Sequence, residues 1–161
     1  MAATKIQMAV SARDLYDQMR RGFDFSPVIW TMRRYDTDMS EARATELLEA
    51  FLQWVSLVPS NTPTNYVVMF QTPVEEAFHA FVLNTRAYAA FCEQFMGFFF
   101  HHDPLTDEAG PEVEQFARYT VDRLKAEFGE QLHPELRRWE ADFAAGTYRV
   151  ACVGPGGRCH V

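Results

Sequence analysis

The chain has 161 residues, 48% of them hydrophobic and 23% charged, a length and composition that suit one globular domain around a single core and exclude a disordered chain. Its formal charge of −7 comes with only two lysines, and the arginine pairs Arg20-Arg21, Arg33-Arg34 and Arg137-Arg138 are scattered, so a nucleic-acid-binding face, which needs clustered cations, is not expected. Neither a bilayer-spanning apolar run nor a secretory signal is visible, and the expectation is a cytoplasmic protein with no membrane partner.

Residues 11–35 read as one or two helices interrupted near Gly22 and Pro27. Over residues 40–58, Leu47, Leu48, Phe51, Leu52, Val55 and Val58 recur at three- and four-residue spacing behind Ser40, a suitable N-cap, and predict the clearest helix. A loop follows over residues 59–65. Residues 66–70, Tyr-Val-Val-Met-Phe, have strand-like composition, but one short run does not predict a sheet. Thr72-Pro73-Val74-Glu75 has the form of a capping box with proline in the first turn, and predicts a helix to about Leu83. Asn84-Thr85 kinks or restarts that helix, and the next stretch runs to Met96, where Gly97 can close it in a left-handed conformation.

After a connector, a helix is expected from about Glu112 to Phe128, with Val113, Phe116, Thr120, Val121, Leu124 and Phe128 turned inward, then a last helix over residues 134–145. The expected fold is all-α: a single compact domain of five to seven helices over residues 1–148, followed by an irregular Gly/Cys/His tail over residues 149–161.

Three of the five histidines and one of the three cysteines fall between residues 75 and 104. His79 sits at the edge of the face formed by Val74, Phe78, Phe81 and Val82, and a buried histidine needs partners for both ring nitrogens. Glu75 and Glu76 precede it by four and three residues, so either carboxylate can reach its ring along the helix. Cys92 lies in the stripe Tyr88, Phe91, Cys92, Phe95, where a thiol is ordinarily a small hydrophobe. His101 and His102 are adjacent and must diverge, so one is expected to turn into a site and the other toward the surface. In the tail, Cys152, Cys159 and His160 are further soft ligands.

The leading expectation is a transition-metal site. His79, Cys92 and one of His101 and His102 would form it, with Cys152, Cys159 and His160 able to close it, a donor set that suits zinc, iron or copper. Glu75, Glu76 and Tyr88 are the candidate catalytic groups, the glutamates serving as a base or orienting His79. A pocket walled by Phe81, Phe98, Phe99 and Phe100 would hold an apolar small molecule or peptide. Three alternatives stay open. In a non-catalytic interaction or scaffold module, with a structural metal or none, the pattern is packing, and Arg86 and Tyr88 face a partner. A cysteine nucleophile at Cys92 is disfavoured, because the residue sits mid-stripe rather than at an electropositive helix N-terminus. A di-iron carboxylate enzyme would pair Glu76-x-x-His79 with Glu130-x-x-His133, although Gly129 and Pro134 bracket the second motif and suit a helix boundary better.

Residues 74–104 also resemble a segment of bacterial glycine-rich domain-containing proteins and, more distantly, plant glycine-rich domain proteins. The positions that carry the resemblance are His79, Leu83, Thr85, Arg86, Tyr88, Phe91, Cys92, Gly97, His101, His102 and Pro104, with Phe78 standing where that pattern has tryptophan. Bacterial members tend to end in a Cys/His-rich tail, which Cys152, Cys159 and His160 resemble in reduced form. The resemblance implies that His79, Cys92 and the histidine pair form one site, and it implies no particular reaction.

Overall fold

The structure, a computed structural model, describes residues 10–102 and 111–153. In chain order these form α1 (Ala12–Gly22), α2 (Ser26–Tyr35), α3 (Glu41–Val55), β1 (Val68–Phe70), α4 (Pro73–Leu83), α5 (Thr85–Phe91), α6 (Glu112–Phe128), α7 (Pro134–Ala145) and β2 (Val150–Val153). The protein is a compact helical domain, and among the described residues its sheet has two short strands. Among the described residues no helix is long and apolar enough to cross a membrane.

The helices form where local signals place them. Ser11 and Ser40 accept hydrogen bonds from the amides of Asp14 and Arg43, satisfying donors at the first turns of α1 and α3. Leu47, Phe51, Leu52, Trp54 and Val55 of α3 are buried, and α3 packs against α1, α2, α4 and α7 as the central element. Full burial of each such side chain is worth roughly 1.5–3 kcal/mol, so α3 carries a large share of the core. All six residues expected to face inward on α6 are buried.

Two expectations are corrected here. Thr72 does not cap α4 with its side chain, because its hydroxyl accepts a hydrogen bond from the Trp139 indole at 3.2 Å. The capping box is therefore not formed. The amide of Glu75 still donates to the Thr72 carbonyl at 2.9 Å, but its carboxylate turns elsewhere. The second correction concerns the tail, read as irregular from residue 149. Val150–Val153 pairs antiparallel with β1 in the register Val68↔Val153, Met69↔Cys152 and Phe70↔Val150. An isolated two-stranded sheet is marginal in water, and tertiary partners support this one. The Trp54 indole donates to the Val68 carbonyl at 2.9 Å, and the Thr120 hydroxyl accepts from the Val68 amide at 2.8 Å, so β1 is held from α3 and α6 as well.

The segment that positions the candidate site begins at α5. This helix widens into a π-helical turn, Cys92–Met96, closed by Gly97 at φ 77°, whose amide donates to the Cys92 carbonyl at 3.0 Å. The reversal brings residues 98–102 back over α4, where the Phe100 ring stacks on Phe78 with an interplanar angle of 4°.

Candidate metal centre

Among the described residues, one group of at least three potential metal ligands has its donor atoms within 4.8 Å of one another: Glu75, His79 and His102. Glu75 and His79 lie one turn apart on α4, which stacks their side chains on one face. His102 arrives from the returning segment. The two Nε2 atoms are 2.8 Å apart, and Glu75 Oε1 lies 3.2 Å from His79 Nε2 and 3.5 Å from His102 Nε2. Three donor atoms converge at hydrogen-bond distance, a contact that an N–H on one imidazole Nε2 satisfies and that a metal ion would satisfy as well. The His102 side chain is 5% exposed and that of Glu75 14%, whereas His79 is 52% exposed, so the cluster is walled on the protein side and opens beside His79.

The electrostatics favour an anionic carboxylate. Burial opposes ionisation of Glu75, but hydrogen bonds from His102 and His79, reinforced by imidazole charge, outweigh it and hold the carboxyl at about 2, below its ordinary 4.5. The ring of His102 rests on Phe78, with centroids 4.3 Å apart. Phe100 and His102, two residues apart, both lie on Phe78, while the alternate pair Phe99 and His101 pack against each other at 4.6 Å. This alternation selects His102 rather than His101.

Those of the other expected site residues that are described lie outside this cluster. Cys92 is 2% exposed; burial pushes its thiol pKa up, against hydrogen bonding to the Phe100 backbone and the Tyr88 hydroxyl, so it is a core thiol and not an activated nucleophile. Cys152 is fully buried on β2 opposite Met69. Cys159, His160 and Pro104 lie outside the described residues. Glu76 is exposed and outside the cluster, and Tyr88 is buried with its hydroxyl donating to the Phe100 carbonyl. Phe81 and Phe100 are buried. They interlock with Phe78, Tyr88 and Phe91 as core, Phe98 packs partly buried against that core, and Phe99 is 40% exposed.

The di-iron arrangement is not formed either. Glu130 lies in a 3₁₀ turn after Gly129, and His133 caps α7, its Nδ1 accepting from the Glu135 amide, away from the cluster around His79. What sequence reasoning undervalued was Glu75 as a ligand in its own right. The signal was present in the i, i+4 spacing to His79, but the apparent capping box gave that carboxylate another role.

Residues 17–115 match the family described as UCP032817-like. The chain belongs to that family. The matched span runs from α1 to the start of α6 and so contains all three clustered residues. It also overturns the resemblance to glycine-rich domain-containing proteins, which rested on positions between His79 and Pro104, whereas the family match spans residues 17–115. No curated protein and no solved structure matches the chain.

Proposed function

We propose that this protein binds a divalent transition metal through Glu75, His79 and His102 and keeps a coordination position open to solvent beside His79. The observation that carries this reading is the triangle of donor atoms, with edges of 2.8, 3.2 and 3.5 Å. A point about 2.1 Å from all three corners, the distance zinc takes to imidazole and carboxylate, lies about 1 Å outside their plane, so an ion can be held without moving the ligands far. Two imidazoles and one carboxylate suit zinc, iron or copper better than calcium or magnesium. Three protein ligands with an open position are the pattern of catalytic rather than structural zinc, and such an ion polarises a bound water or carbonyl. A metal-dependent enzyme acting on a small molecule that approaches from solvent is the function this supports best. The filled aromatic core favours one second reading, a non-catalytic module in which the metal only ties the return segment to α4.

Cobalt binding to tag-free protein tests the proposal. One equivalent should bind, and His79→Ala and Glu75→Gln should abolish binding while leaving a cooperative thermal transition, since both side chains lie at the edge of the core. Azide should then perturb the cobalt absorption of the wild type. A wild-type chain that takes up no cobalt ends the metal reading, and a spectrum that azide leaves unchanged favours the non-catalytic module.

A further inference from the structure

We infer that Tyr88 and Phe78 are positioning residues for this centre, setting His102 in place through the backbone of Phe100 and the face of its own ring. The inference rests on the metal reading above and adds to it the means by which the third ligand is held. Glu75 and His79 need no such device, because the geometry of α4 already places them one above the other. Among the described residues His102 lies outside the helices and strands, so it is not placed by the ladder of backbone hydrogen bonds that places the ligands on α4.

Two contacts replace that ladder. The Tyr88 hydroxyl donates to the carbonyl of Phe100, two residues before the ligand. That donor is itself held in place: the Tyr88 ring is 1% exposed and packs edge-on against Phe81 at 5.1 Å, with Phe78 at 6.2 Å. Phe78, immediately before His79, then supports both the Phe100 ring and the His102 ring from below. Only the torsions of His101 and His102 remain between the anchored carbonyl and the imidazole. The wide π-helical turn and the left-handed Gly97 set the direction of return, and Tyr88 sets where it stops. Tyr88, a candidate catalytic group from sequence, touches none of the ligand atoms in the hydrogen bond it donates and acts through Phe100.

Tyr88→Phe and Phe78→Leu test this, with Thr120→Val as control. Thr120 also carries buried hydrogen bonds, but to β1 and within α6 rather than to the site. Cobalt affinity is measured by competition with a chelator, beside the thermal midpoint of each metal-free protein. Tyr88→Phe and Phe78→Leu should each weaken cobalt binding about 10-fold at unchanged stoichiometry, the effect usual for residues that orient metal ligands. Thr120→Val should lower the midpoint and leave the affinity as in the wild type. Two aromatic variants that fold and bind cobalt as tightly as the wild type would overturn the inference while leaving the metal site standing, and so would affinity that merely tracks stability across all three variants. A wild type that binds no cobalt overturns the metal reading and this inference with it.

Discussion

Glu75 could serve α4 by reaching back to the amide of Thr72, or it could turn toward the next helical turn and meet His79. It does the second, and the amide of Glu75 bonds to the Thr72 carbonyl instead, so the first turn of α4 keeps a backbone bond while its carboxylate faces two imidazoles. His133 shows the same economy in another setting. Its Nδ1 caps α7, its amide donates to Gln53 at 2.8 Å, and burial lowers its pKa below the ordinary 6.5 against the opposing pull of Glu49, Glu135 and Glu46. The folded chain therefore holds a neutral imidazole that the unfolded chain protonates more readily. This contribution to stability is complete above pH 6.5 and is lost as pH falls toward the lower folded value. Asparagine also caps helices well but does not titrate there, so His133→Asn should lack this component. Urea midpoints at pH 7.5 and 5.5 check it: the wild type should lose more stability between them than the variant, and parallel losses would contradict the assignment.

At the scale of elements, the turn that follows α5 decides where His102 goes. Gly97 adopts φ 77°, and a Cβ there would meet nothing within 4 Å, so a substitution would be penalised by backbone conformation and not by crowding. Gly97→Ala should cost about 1–2 kcal/mol, the penalty of left-handed backbone for a residue with a Cβ. Gly22, at the end of α1, makes the contrast: its φ is not positive, and an added Cβ would lie in ordinary contact with Phe95 at 3.5 Å. Gly22→Ala should be neutral or slightly stabilising, because it restricts the unfolded chain without straining the folded one. Chemical denaturation of the two variants side by side measures the difference, and equal stabilities would show that the Gly97 conformation carries no constraint.

At the scale of the whole molecule, the chain closes by returning to its middle. β1 is buried at Val68, Met69 and Phe70, and β2 covers it with Cys152, itself inaccessible to solvent. A chain ending at Arg149 would leave the β1 edge unpaired. It should melt well below the full chain and aggregate in proportion to concentration, as exposed strand edges do. Thermal unfolding with light scattering reads both effects, and a truncated chain with the full-length midpoint would contradict the role given to β2.

The sequence alone was enough for the helices. Ser11 and Ser40 reach amides three residues ahead, the apolar stripe of α3 repeats every three or four residues, and Gly97 closes its own turn, all of them interactions within a few residues along the chain. The Glu75–His79 pairing was legible for the same reason, being one helical turn. His102 was half legible: neighbouring histidines must diverge, but which one meets α4 depended on Phe78 and on the Tyr88 anchor, and the contact with His79 closes across 23 residues. The partner of β1 lay farther still, so strand-like composition at residues 66–70 could not announce a sheet. The cysteines could not be placed from sequence for a chemical reason. A thiol suits a metal and an apolar core equally well, and only the tertiary structure shows that Cys92 and Cys152 are buried.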